Sequence, residues 1–246
     1  MSDESNRIRS AGLDHASTTL DRQGYVLTND LQIGLPQKFR ENFQQTYFNS
    51  FTLRHDEGDW PEDRERARDV VRYEWRDDGL RVREHETITI TDRAGIAGKR
   101  DHSRVWVLSD PQAEELVRRF LSLVPPARRQ RDGTFGVNLF RTFTNVVEKP
   151  HHDDEEFVIL YVLDRIGSGA VSYLYQPGDV PDAGPPAAQP VFRRQLNPGE
   201  ILVFEDKLFK HGATPLERPP DGEARRDVLI CTVDYRSTYL DPAAAA

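Results

Sequence analysis

Apolar positions along the chain show two textures, and the change comes near residue 130. Before it, several stretches repeat at helical spacing. Phe39, Phe43 and Tyr47 recur every four residues within 35–51, with Pro36 in the first turn, and predict a helix. In 61–76 acids come first and Ala67, Val70, Val71 and Trp75 form one stripe, which predicts a second helix with an alternating-charge solvated face. The clearest helix is 110–126, with Asp110 as cap, Pro111 as start, Pro125 as stop, and Ala113, Leu116, Val117, Phe120 and Leu121 as buried stripe. Short strands are predicted at 24–30, at 86–92, where "ETITITD" alternates strictly, and at 103–110. Residues 1–18 are polar and are expected to be flexible.

After residue 133, short apolar runs follow one another with turn signals between them. Strands are predicted at 134–143, 157–163, 170–175, 191–196, 200–205, 210–214 and 227–235. "NPGE" (197–200) reads as a tight turn, and the Pro-, Gly- and Ala-rich 176–190 as a surface loop. Helices first and strands later fit a mainly β protein of the α+β type, one domain in which helices buttress a sandwich or barrel. In that division, 19–130 supports a core at 131–236, and 237–246 is a tail.

Composition narrows the function. A net charge of −8 and a pI near 5.4 argue against nonspecific nucleic-acid binding and against an anionic membrane surface. A small polar substrate is the expected partner. The single cysteine, Cys231, sits in an apolar run and reads as a small buried hydrophobe. The N-terminal stretch has no apolar signal core and no run reaches membrane length, so a cytoplasmic protein is expected.

Of seven histidines, His55, His85 and His102 sit among charges and read as solvated, whereas His151, His152 and His211 lie at the edges of predicted strands. A non-haem iron site takes two imidazoles and one carboxylate on one face of an octahedron and leaves the remaining positions open. A His-x-Asp pair on extended chain supplies two such ligands, because residues i and i+2 point the same way. Two registers satisfy this, His151 with Asp153 or His152 with Asp154, and spacing does not choose between them. His211, followed by the small Gly212, is the distal candidate. An arginine fork suits the far carboxylate of a metal-chelating dicarboxylate, and Arg226 would share a strand face with Val228, Ile230 and Thr232.

Four segments in order, "PHHDDEEFVILYVLDR", "GSGAVSYLY", "LNPGEILVFEDKLFKHGATPL" and "RRDVLICTVDY", resemble the iron(II)/2-oxoglutarate-dependent dioxygenases. Within them the chain looks like the bacterial, isoleucine dioxygenase-like group that hydroxylates free amino acids. The likeness covers residues 134–235, and "LDRQGYVLTND" resembles that group's entry strand. It implies a double-stranded β-helix (jelly-roll, cupin-like) core with the N-terminal helices packed outside. It implies Fe(II) held by His151, Asp153 and His211, 2-oxoglutarate held by Arg226, and O2 as oxidant. The implied reaction hydroxylates an unactivated C–H bond of a free amino acid or a small amino-acid-derived metabolite and releases succinate and CO2. Asp153 stands where related halogenases carry a small residue, which implies hydroxylation.

The group's pattern has a glycine where this chain has Asp154, so the substrate pocket is expected to differ there. Asp154, Glu155 and Glu156 read either as a solvated loop or as recognition of a cationic substrate group. Arg141 either holds a substrate carboxylate or pairs with a structural acid such as Asp206, and Tyr161 and Tyr173 either line the pocket or fill the core. A different class remains beside this one: a cupin-like small-molecule binding protein with a structural metal or none.

Overall fold

A computed structural model describes residues 3–55, 64–85, 104–143, 150–179, 189–220 and 222–234, with side chains from residue 11 onward. A seven-stranded antiparallel sheet dominates. Its strands are β1 (Tyr25–Asn29), β2 (Arg64–Arg76), β3 (Gly79–Glu84), β4 (Asp132–Thr142), β5 (Phe157–Ile166), β9 (Glu200–Glu205) and β12 (Arg225–Asp234). They lie in the order β1-β9-β5-β12-β4-β2-β3. A smaller sheet has the order β10-β7-β8, from β7 (Val171–Tyr175), β8 (Phe192–Gln195) and β10 (Lys210–Ala213). Strands β6 (Ser168–Gly169) and β11 (Leu216–Glu217) pair with each other.

Each face of the large sheet is buried against a different layer. Phe157, Ile159, Tyr161 and Leu163 of β5, with Leu229, Cys231 and Val233 of β12, pack into one core with the helices. These helices are α1 (Asp3–Gln23), α2 (Phe39–Tyr47) and α3 (Pro111–Leu123). The alternate residues Val158, Val162 and Val228 pack with Leu174 and Phe204 between the two sheets. Strand parity therefore decides whether a residue faces helices or the inter-sheet space.

Helix α3 is capped as its sequence indicates: the Asp110 side chain accepts from the Gln112 N–H at 2.8 Å, and Pro111 follows. Helix α2 buries Phe39, Phe43 and Tyr47 as read. The "NPGE" turn connects β8 to β9 across the two sheets, with Gly199 at φ +92°.

Two expectations change. Residues 61–76 do not form a helix: β2 runs Arg64–Arg76 and pairs along its length with β4. Its buried alternate set is Ala67, Asp69, Val71 and Tyr73. The carboxylate at 69 hid the period of two, and Val70 completed a false helical stripe. Asp69 is accommodated because its oxygens accept from the backbone N–H groups of Val70 and Val107, both at 2.8 Å. The strand expected at 103–110 does not form over the described residues 104–110. Arg104 keeps one bridge to Arg68, and Val107–Ser109 forms a 3-10 turn. Helix α1 (Asp3–Gln23) takes in most of the polar N-terminal segment, and its Ala16 and Leu20 are buried one turn apart. The strand expected at 86–92 lies outside the described residues, as does most of the 176–190 loop.

Candidate metal centre and active site

Two distant segments are tied together by their backbones. The His151 N–H donates to the His211 carbonyl at 3.1 Å, and the His211 N–H donates back at 2.9 Å. This reciprocal bridge holds the two imidazole rings with centroids 4.5 Å apart. Asp153 lies between them, with Oδ1 3.5 Å from His151 Nε2 and Oδ2 3.4 Å from His211 Nε2. One ligand atom from each of the three falls within 4.8 Å of the others. Ligands about 2.1 Å from an ion and cis to one another sit about 3 Å apart, so the set is near the spacing a divalent cation takes and would close on one by a small contraction.

Of the two registers, it is His151 and Asp153 that converge with His211. His152 turns out of the group, and its Nδ1 lies 2.5 Å from the Asp206 carbonyl oxygen. Asp154 is exposed at φ +63°, the left-handed region that glycine occupies most cheaply. Its departure from the glycine pattern therefore concerns the backbone turn between the triad and β5.

Asp206, which the sequence offered only as a partner for Arg141, organises this corner. It is fully buried, and its Oδ1 lies 3.3 Å from His211 Nδ1. Its Oδ2 accepts from the Glu155 backbone N–H at 3.2 Å. A carboxylate on the rear nitrogen fixes the imidazole's orientation and leaves Nε2 aimed at the metal position. Burial alone would lower the His211 pKa, but the Asp153 and Asp206 carboxylates overcome it and push the ring up to about 9. Burial alone would raise Asp153, yet the two imidazoles hold it below the usual carboxylate range.

The triad opens into a cavity of ≈ 390 Å³ between the sheets. Arg226, Val228, Ile230 and Thr232 of β12 line its floor, as strand parity indicates. Arg226 is 3% exposed, and its Nη2 has no hydrogen-bond partner among the described residues. Burial, with Arg165 directly opposite on β5, lowers its pKa to about 10. A buried guanidinium facing a cavity without a carboxylate partner is costly until an anion enters. Gly212 also lines the cavity, and a Cβ there would meet the Tyr173 ring at 2.8 Å, so only glycine admits that contact.

Other predicted residues lie elsewhere. Tyr161 is fully buried on the helix side, edge-on to Phe120, because it shares parity with Ile159. Arg141 also faces that side, where its fork pairs with Asp227 at 2.7 and 2.8 Å and donates to the Phe48 carbonyl. Glu156 is paired with Lys207. Of the acidic run only Asp153 and Glu155 line the cavity. His85, expected to be solvated, is buried. Glu155 was one of the acids the sequence offered for substrate recognition, whereas sequence reading missed Arg64, Arg66 and Arg68, which also line the cavity, because their segment read as a helix with a solvated face.

The sequence profile of the 2OG-Fe dioxygenase family matches residues 59–232. An L-isoleucine-4-hydroxylase of Bacillus thuringiensis is 35% identical over 88 residues, which cover 36% of this chain and 34% of that protein. The match thus spans about a third of that relative's length. The structure of IDO from Bacillus thuringiensis superposes with a TM-score of 0.71 at 20% identity, over 92% of this chain and 100% of that one. A bsmA homolog from Methylobium petroleophilum PM1 gives 0.72 at 20% identity, over 91% and 93%. These likenesses establish a shared fold. Among the described residues no helix is long and apolar enough to cross a membrane. With a profile match across well over half its length, the chain belongs to the 2OG-Fe dioxygenase family, whose members use Fe(II), 2-oxoglutarate and O2.

Proposed function

We propose that the protein is a hydroxylase in which His151, Asp153 and His211 hold Fe(II) and Arg226 holds the far carboxylate of 2-oxoglutarate. The two sheets are then the halves of a double-stranded β-helix, with β2 and β3 extending the larger half. The substrate is a small amino-acid-type metabolite, in keeping with the isoleucine hydroxylase relative. The observation that carries the reading is Arg226: a buried arginine whose Nη2 has no partner among the described residues, in the same cavity as the triad. A binding protein of the cupin kind has no use for such an orphan, whereas a metal-chelating dicarboxylate needs one.

The bound iron and cosubstrate would supply the oxidising chemistry, with succinate and CO2 as coproducts. The chain's own part is positional. Asp206 keeps His211 in the tautomer whose Nε2 faces the metal position. Val228, Ile230 and Val158 exclude water along one wall, and Arg226 fixes the cosubstrate's far end.

Anaerobic titration with Fe(II) and then 2-oxoglutarate tests this. A charge-transfer absorption band is expected in the wild type. Arg226→Ala is expected to weaken 2-oxoglutarate binding at least 100-fold while Fe(II) binding persists. A wild-type protein that binds Fe(II) but develops no band with 2-oxoglutarate would sink the assignment.

A further inference from the structure

Arg226 does not stand alone at the cavity floor. Its cross-strand partner on β5 is a second arginine, Arg165. Directly opposed residues of an antiparallel pair project to the same face of the sheet, with Cβ atoms about 5 Å apart. Both side chains therefore leave the sheet on the inter-sheet side, just beyond the paired Val162 and Val228. Like charges set directly opposite one another destabilise a strand pair. Each arginine here also keeps a buried nitrogen with no hydrogen-bond partner among the described residues: Nη1 of Arg165 and Nη2 of Arg226.

The neighbouring acids do not relieve the pair. Asp164 and Asp227 adjoin the two arginines in the chain, but both serve the helix side. Asp164 accepts there from Gln44 and Arg225, and Asp227 from Gln44 and Arg141. Arg165 has one neutral contact instead: its Nη2 donates to Asn197 Oδ1 at 3.5 Å. Asn197 opens the "NPGE" turn, which is fastened to β5 by the Gly199 N–H donating to the Val162 carbonyl at 2.8 Å. The turn thus holds one arm of the Arg165 fork and leaves the other unsatisfied. Burial first and the Arg165 charge second lower the Arg226 pKa to about 10, so the two heads act on one another. Two such cations are costly together unless an anion joins them. One carboxylate suffices, because its two oxygens offer about four acceptor positions and an arginine fork fills only two.

We propose that Arg165 is a second cosubstrate-binding residue, and that the far carboxylate of 2-oxoglutarate bridges Arg226 and Arg165 in a two-arginine clamp. The proposal rests on the dioxygenase reading above and deepens it. Of the two arginines only Arg226 is on the cavity lining, so the carboxylate meets its fork first and Nη1 of Arg165 behind it. The register shift between Asp227 and Val228 makes the clamp, because it sets an arginine opposite Arg226.

The test uses the full chain loaded anaerobically with Fe(II) and two probes. One is 2-oxoglutarate; the other is 2-oxovalerate, which keeps the chelating end but finishes in a methyl group. Binding is followed by calorimetry and by the charge-transfer band. Arg165→Gln is expected to weaken 2-oxoglutarate tenfold or more while leaving the affinities for Fe(II) and 2-oxovalerate as in the wild type. Arg165→Lys keeps the charge and loses the fork, so its 2-oxoglutarate affinity is expected to fall between the two. It also carries the comparison if Arg165→Gln fails to fold, which loss of Fe(II) binding would reveal. With the wild-type band present, an Arg165→Gln variant of unchanged 2-oxoglutarate affinity overturns the proposal alone. So does a variant that loses affinity for both oxo acids in equal proportion, the mark of a purely structural role, or a foldable Arg165→Lys indistinguishable from the wild type when Arg165→Gln does not fold. Failure of the wild type to form the band with 2-oxoglutarate instead removes the dioxygenase reading and this proposal with it.

Discussion

His211 stands between two carboxylates, and its proton links metal binding to pH. In the metal-free protein its pKa is raised from 6.5 to about 9. A raised folded-state pKa means that protonated His211 stabilises the metal-free fold fully below 6.5, and that this contribution is lost as pH rises through about 9. A metal requires the neutral ring, so it must displace that proton. Divalent-metal affinity is expected to climb about tenfold per pH unit below pH 9 and then level, which anaerobic Co(II) titrations between pH 7 and 10 would read. A flat profile would contradict this arrangement. Asp206→Asn keeps the side-chain shape but removes the charge behind His211. It should cost 10- to 100-fold in metal affinity and move the levelling point to lower pH. At this scale, the convergence of His151, Asp153 and His211 was legible because a His-x-Asp pair on extended chain leaves a local signature. Asp206 was not, because its role depends on a contact with His211 Nδ1 that no sequence spacing announces.

Strand parity explains most of what succeeded and failed among the elements. It placed Arg226 on the cavity floor, and applied to β5 and β4 it would have sent Tyr161 and Arg141 to the helix side. It failed on β2 because a buried aspartate stands in its apolar row. It also breaks at one place, a register shift between Asp227 and Val228 on β12. Opposite it, Leu163 is an extra residue on β5, so Asp164 pairs with Asp227 and Arg165 with Arg226. Both aspartates then join Arg141, Arg225 and Gln44 on the helix side. Removing one partner of such a buried pair leaves the other uncompensated. Asp227→Ala is expected to destabilise the fold by about 3–5 kcal/mol in urea unfolding, against under about 1 kcal/mol for breaking the more exposed Arg194–Glu200 pair. Without the register shift, Leu163 would pair with Asp227, and Asp164 would stand opposite Arg226 and neutralise it from within. Arg165→Glu recreates that situation. It should weaken 2-oxoglutarate binding at least tenfold by calorimetry while leaving Fe(II) affinity unchanged, and equal 2-oxoglutarate affinity would show that the opposing position is irrelevant.

Across the whole molecule, the cavity draws its walls from segments far apart in the chain: β2, β4, the 151–155 segment, β5, β10 and β12. The strand-rich second half was legible from its punctuation, but the contribution of β1, β2 and β3 to the same sheet was not, because pairing with β9 and β4 is a long-range choice. The order β5-β12-β4 also has a consequence for biosynthesis. The sheet's central strand is the last of its strands to be made. Until Arg225–Asp234 leaves the ribosome, β4 and β5 each offer an open edge, and open edges recruit other chains. A chain stopped before residue 225 is expected to accumulate in the insoluble fraction, whereas supplying 222–246 as a separate peptide during refolding should recover soluble, Fe(II)-binding protein. The strand that carries Arg226, the cosubstrate anchor proposed above, is thus also the one whose arrival closes the sheet, so a nascent chain gains that arginine and loses its exposed edges in the same event.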